Sequence, residues 1–334
     1  MKPAPLAVLY VAVLVGGLEW TASATAEICG QEKSAEQLLM QAEQALGQRK
    51  PREAAELATK AIEQKADYLQ AYVLRARARR QLGQVQEAIE DLTKAIELRP
   101  TAALYIGRGD CRSALDRHPE AIAEFDRAIE MEPKSMTGYH YRGRERFKAG
   151  EVEKSIADFD RAIELNPDHE NECWERGLSR YYAGQFAKAQ VSFEDYHKVG
   201  PEDIENGLWR MLSQAEIEGL PAAQKALFKY EPKRRPPFPL LYGLYAGKTK
   251  PEDVLEHATD GATGDTELKT RLFYAHLYLG MWFVAKRYRP AAIAHLEKAV
   301  ALRSNDYMWY VARHQLRVLK AAVQESKDEV CKSM

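Results

Sequence analysis

No recognisable catalytic signature occurs in these 334 residues. There is no GxSxG, no HExxH, no phosphate-cradling glycine loop and no dinucleotide fingerprint, so the common hydrolase, kinase and dehydrogenase readings fall away. Charge of one sign is also lacking. Forty-eight Lys and Arg stand against 49 Asp and Glu, a formal net charge of −1. That balance argues against a polybasic nucleic-acid or membrane-surface binder. Cysteine is sparse, at Cys29, Cys111, Cys173 and Cys331, and none forms a CxxC pair, which removes zinc ribbons and thioredoxin-type sites. Cys111 and Cys173 read as small apolar packing residues, while Cys29 and Cys331, near the two ends, leave a terminal disulfide open. The only long apolar run, Leu6–Leu18, is too short to span a bilayer comfortably.

That run has the form of a secretory signal. Lys2 precedes it, and Ala24-Thr25-Ala26 follows as a cleavage site, so residues 1–26 are expected to leave the mature chain. Retention as an N-terminal anchor stays open. Lipidation at Cys29 is disfavoured, because Glu27 and Ile28 stand where a lipoprotein signal requires small residues. The expected location is therefore exported, periplasmic or on the cell envelope, with no transmembrane span in the mature chain.

What is abundant is repetition. Pro100, Pro133, Pro167 and Pro201 fall 33 or 34 residues apart, as do Ala88, Ala121, Ser155 and Ala189. Leu92, Phe125, Phe159 and Phe193 keep the same spacing, and so do Gly83, Gly150 and Gly184, with Asp116 in place of the missing glycine. A fixed period of this length denotes stacked units. Within the unit 136–169, Gly143 and Gly150 bracket the end of a first helix. Ile156, Phe159, Ala162 and Ile163 give a second helix one apolar face, and Pro167 ends it. A helix pair this small cannot bury its own apolar face and needs neighbours. The expected fold class is all-α, a superhelix of stacked helix-turn-helix pairs with an interrupted C-terminal part.

These residues resemble the tetratricopeptide repeat family. Five units are expected over 35–203: Ala35–Tyr68, Leu69–Thr101, Ala102–Ser135, Met136–His169 and Glu170–Asp203. A degenerate repeat and irregular connector should cover 204–265, with the proline-rich 231–239 within it. A last repeat and closing helix should cover 266–325, shielding the end of the stack, and a disordered tail 326–334. The stretches 181–196, 241–258 and 277–301, in that order, further resemble NlpI-type bacterial lipoproteins. That resemblance implies an envelope adaptor, forming homodimers, that scaffolds proteases and peptidoglycan hydrolases.

Arg75, Arg108, Arg142 and Arg176 share one repeat position, and Arg79, Arg112, Arg146 and Arg180 another. Asp91, Glu124, Asp158 and Asp160 recur in step with them, so salt bridges between paired helices are expected rather than an anion-binding ladder. Other first-helix positions should line the concave wall: Arg77, Arg80, His140, Arg144, Phe147, Asn171, Trp174, Leu178, Tyr181 and Tyr182. Tyr, Trp and Arg are frequent interface anchors, so these ten residues are the expected site for a protein or peptide partner. The sequence His169-Glu170-Asn171-Glu172-Cys173 is similar to a zinc-protease helix but has Cys where the second His should be, and no metal or other cofactor is expected from it. The function expected is a non-catalytic scaffold, with no nucleic-acid role. The alternative is an envelope structural protein that self-associates without a client.

Overall fold

A computed structural model describes residues 33–230, 236–303 and 306–333, with side chains to 325. The expected signal, Cys29, Cys331 and much of the proline-rich connector lie outside the residues described. Seventeen α-helices and no strand occur among the described residues. None of those helices is long and apolar enough to cross a membrane. The chain divides into two compact units, 1–99 and 100–334, with the division inside the repeat array.

The first unit holds two hairpins: α1 (Ala35–Gly47) with α2 (Pro51–Gln64), and α3 (Leu69–Gln81) with α4 (Val85–Leu98). Ser34 starts α1 with a capping box: its hydroxyl accepts from the Gln37 amide, and the Gln37 side chain accepts from the Ser34 amide. The helices meet on alanine. Ala42, Ala54, Ala58, Ala61, Ala71 and Ala78 are fully buried, and Leu38 and Leu74 fill the remaining space. Small side chains let backbones approach, which is how a short pair gains contact area.

The second unit continues the pattern with α5 (Ala102–Ala114), α6 (His118–Met131), α7 (Met136–Ala149), α8 (Val152–Leu165), α9 (Trp174–Tyr182) and α10 (Phe186–Val199). A 3-10 turn, Pro167–Asn171, precedes α9, which is correspondingly short at 9 residues. Close approach within each hairpin occurs at a glycine facing a ring. A Cβ on Gly109 would lie 2.7 Å from Phe125, and one on Gly177 2.7 Å from Phe193. The same geometry returns late in the chain, where a Cβ on Gly280 would lie 2.6 Å from Leu296. This marks α15 (Asp265–Ala285) and α16 (Arg289–Ala301) as one more hairpin. Between them lie α11 (Ile204–Glu218) and the short α12 (Leu220–Lys225), α13 (Phe238–Tyr245) and α14 (Pro251–Thr259). Helix α15 begins eight residues before Phe273, where the repeat pattern alone becomes visible.

The last helix, α17 (Tyr307–Ser333), runs on through 326–333, where the sequence reading expects a disordered tail. Asp306 caps it, accepting from the Met308 amide at 2.9 Å. Trp209, Tyr245, Phe273, Tyr278, Trp282 and Val311 belong to a single buried cluster that joins the late repeats to the C-terminal helices. Within it Trp209 Nε1 donates to the Tyr278 hydroxyl at 3.2 Å, and Tyr278 donates to Glu205 at 2.9 Å.

The arginine positions form ion pairs, as the matching period of acids predicts. Asp91 accepts from Arg75 at 2.6 Å and Arg79 at 2.8 Å, and Asp158 from Arg142 at 2.7 Å and Arg146 at 2.8 Å. Glu124 serves Arg108 and Arg112 in the same way. In the fifth repeat the acid's place is taken by Ser192. Arg180 therefore donates to Ser192 at 2.9 Å, and both Arg176 and Arg180 reach back to Asp160 at 3.2 and 3.1 Å.

Candidate functional site

Each first helix turns one face away from its partner. On α7 and α9 that face carries Arg144, Phe147, Trp174, Leu178 and Tyr182, and the start of α17 is seated on it. Tyr307 is held on three sides: Phe147 stacks at 5.3 Å, Trp174 meets it edge-on at 5.3 Å, and the Arg144 guanidinium lies 5.4 Å above it. Two turns along, His314 stacks on Phe147 at 5.7 Å and meets Tyr182 edge-on at 4.6 Å. The Tyr182 hydroxyl donates to the Val311 carbonyl at 3.5 Å. The closing helix thus does more than shield the last hairpin. It docks on repeats four and five as well, because its first two turns carry the aromatic and imidazole rings that this face stacks.

The anchor of this docking is Asp116, which stands where a glycine is usual. Asp116 takes φ 58, a left-handed turn that Asp tolerates better than most side chains. Its carboxylate accepts from the Tyr310 hydroxyl and from Arg303. The departure from the repeat pattern is the point of attachment. Nearby, Glu145 is almost wholly buried. Burial alone raises its pKa, but His118, Lys148 and Ser113 all bond to it and leave it below its ordinary value. The distances are 2.9 Å to His118, 2.6 Å to Lys148 and 2.6 Å to Ser113.

The ten expected partner residues separate into four groups. Phe147, Leu178 and Tyr181 are 1%, 0% and 5% exposed, and belong to the core. Arg144, Trp174 and Tyr182 are half-buried against α17, with Arg144 also 3.5 Å from Glu175. His140 turns to His169, Nδ1 to Nε2 at 3.0 Å, beside the half-buried Asn171. Arg77 and Arg80 are exposed on α3 in the first unit.

One cleft open beside α17, of about 310 Å³, lies between it and the end of α7. Lys148, Tyr310, Arg313, His314 and Arg317 line it, with His118 at its base. Arg313 and Arg317 are exposed and form no salt bridge to a carboxylate of the described residues. Arg313 lies over Trp309 at 5.6 Å, and Arg317 donates to His314 Nδ1 at 3.0 Å. The Lys148 ammonium sits 5.1 Å above the Tyr310 ring. Burial first, and then Arg317, pulls His314 down to about 4, so the imidazole is neutral at pH 7. Sequence reasoning missed Arg313 and Arg317, since the last helix lies outside the repeat register that ranked the other arginines. A second, smaller cavity of about 210 Å³ is lined by Trp174, Asp203, Glu205, Trp209, Tyr274 and Asp306.

A profile of the tetratricopeptide repeat family matches residues 39–103 and 73–136, and another matches 137–169. Comparison with curated protein sequences gives no match. Among solved structures, a tetratricopeptide repeat protein from Parabacteroides merdae is 14% identical, with a TM-score of 0.54 over 86% of this chain and 98% of that one. PilW, described as a widely conserved type IV pilus biogenesis factor, is 17% identical, with a TM-score of 0.50 over 71% of this chain and 97% of that one. At such identities the likeness concerns the fold. With the periodic glycine–ring contacts, the helix pairs and the matched residues all in agreement, this chain carries an array of tetratricopeptide repeats over residues 39–169.

Proposed function

We propose that this protein is an exported, non-catalytic scaffold of the cell envelope that takes up an acidic segment of a partner protein in the cleft between α7 and α17. Tetratricopeptide repeats generally serve protein–protein interaction, and the resemblance of the back half to NlpI-type adaptors supports the envelope setting. The observation that carries the reading is the cleft itself: the two exposed guanidiniums of Arg313 and Arg317, the first lying over Trp309, beside the Tyr310 ring. Arginine on an aromatic shelf is well suited to bidentate carboxylate recognition. The helix-accepting wall of Arg144, Phe147, Trp174 and Tyr182 supports it indirectly, since α17 fills that wall and presents its own basic edge in its place.

The test is crosslinking in envelope extract, with wild-type chain against Arg313→Glu/Arg317→Glu. Partners rich in Asp and Glu at the crosslinked segment should disappear with the double variant and weaken with salt. Recovery of the same partners by both chains would refute the cleft as the binding site.

A further inference from the structure

The fifth repeat departs from the three before it at a further position, and this departure brings three metal-type donors together. In three preceding units that position is a tyrosine lying over the unit's arginine: Tyr72, Tyr105 and Tyr139, at 5.5, 5.7 and 5.4 Å from the arginine. In the fifth it is Cys173, which is 2% exposed. The 3-10 turn Pro167–Asn171 that replaces the first turn of α9 swings His169 against His140 of the preceding repeat, 3.0 Å away. We infer that His140, His169 and Cys173 bind one transition-metal ion of the zinc class, through two imidazole nitrogens and a thiolate, leaving a fourth position for water or a partner's side chain.

One ligand atom from each residue lies within 4.8 Å of the others. With bonds of about 2.0–2.3 Å, a tetrahedral ion needs its ligands about 3.3–3.6 Å apart. The imidazole nitrogens are already at that scale, so the sulfur needs to close by only about an ångström or so. Two imidazoles and a thiolate select zinc or copper over the oxygen-seeking calcium and magnesium. Glu172 lies 3.7 Å from His169 Nδ1, behind the nitrogen that faces His140, where a carboxylate orients a ligating ring. The His169 side chain is 13% exposed, which gives the ion a way in. Burial, then His169 and Arg144, keep His140 neutral, with its pKa down at about 3. The Cys173 thiol, pushed up to about 12 by burial and then Glu175, holds its proton until metal arrives. Binding then replaces S–H by S–metal and releases one proton.

The experiment titrates the full-length protein, under reductant, with Co²⁺ alone as a spectroscopic probe, followed by Zn²⁺. One Co²⁺ should bind per chain with a thiolate-to-metal charge-transfer band, and Zn²⁺ should bleach that band. Cys173→Ser should abolish the band. Cys173→Ala serves if Ser in this apolar position disturbs folding, as judged by circular dichroism. His140→Gln and His169→Gln should each weaken uptake by roughly tenfold or more, since even groups bonded to a ligand act on that scale. His276→Gln, in the separate His276–His295 pair of α15 and α16, should leave the band unchanged. No uptake, a band that survives Cys173→Ser, or equal affinity in His140→Gln would each overturn the inference.

Discussion

Replacing Tyr307 by alanine and, separately, by phenylalanine tests the seating of α17 most directly. The ring is 5% exposed and enclosed by Phe147, Trp174 and Arg144. Truncating an aromatic of this kind to alanine costs about 3–5 kcal/mol. The hydroxyl behaves differently, because it is buried with no hydrogen-bond partner among the described residues. An unsatisfied buried polar group costs about 1–3 kcal/mol, so Tyr307→Phe should be neutral or stabilising. Urea unfolding of the three chains, read at constant slope, measures both effects. Native-state hydrogen exchange should show where they act, with amides of α7 and α9 losing protection in the alanine variant alone. The reasoning fails if alanine costs less than about 1 kcal/mol, or if phenylalanine costs as much as alanine.

Four further outcomes follow. Asp158→Asn, which leaves Arg142 and Arg146 without their 3% exposed partner, should cost about 3 kcal/mol, the lower end for a broken buried pair, since Arg142 keeps Asp126. Asp160→Asn, at a side chain 43% exposed, should cost less than about 1 kcal/mol in the same denaturation assay. Gly177→Ala should destabilise by about 1–3 kcal/mol despite alanine's better helix propensity, because Phe193 is enclosed and cannot step aside. Stability should also fall with acid. His276 and His314 are both pulled from 6.5 down to about 4, by burial first and then by His295 and Arg317 respectively, against a raising influence of Glu153 on His314. Between those values the unfolded chain holds more protons, so stability present at pH 7 is lost as pH drops from 6.5 towards 4. His314→Gln should flatten part of that slope in a melting series, and an unchanged slope would count against the assigned environment.

The repeats were legible because their spacing states a local contact. Gly109 and Phe125 stand as far apart in sequence as Gly177 and Phe193, and each pair touches across one hairpin. The ion pairs were legible for the same reason. Asp116 was visible as a departure but not explained, since its partners are Tyr310 of α17 and Arg303 from the stretch before that helix, neither of which lies in the repeat register. Tyr181 and Leu178 read as surface anchors because residue type cannot say what will cover a face. Tyr181 is covered by Phe186 and Trp209, whereas Phe147 is covered by Tyr307, to which nothing in the local pattern links it. His140 and His169 escaped pairing because a regular first turn would have held them apart, and the 3-10 turn that joins them carries only Pro167 as its signal. Arg77 and Arg80 lie in the first unit.

The segment that fills the seat on α7 and α9 is synthesised after both of them. Until it emerges, Phe147, Trp174 and Tyr182 are synthesised, folded into their hairpins and left bare. A nascent or prematurely terminated chain therefore shows chaperones and proteases an oily, ring-lined slot that the finished molecule hides. A chain that has made α17 covers the slot that a fragment ending before it leaves exposed.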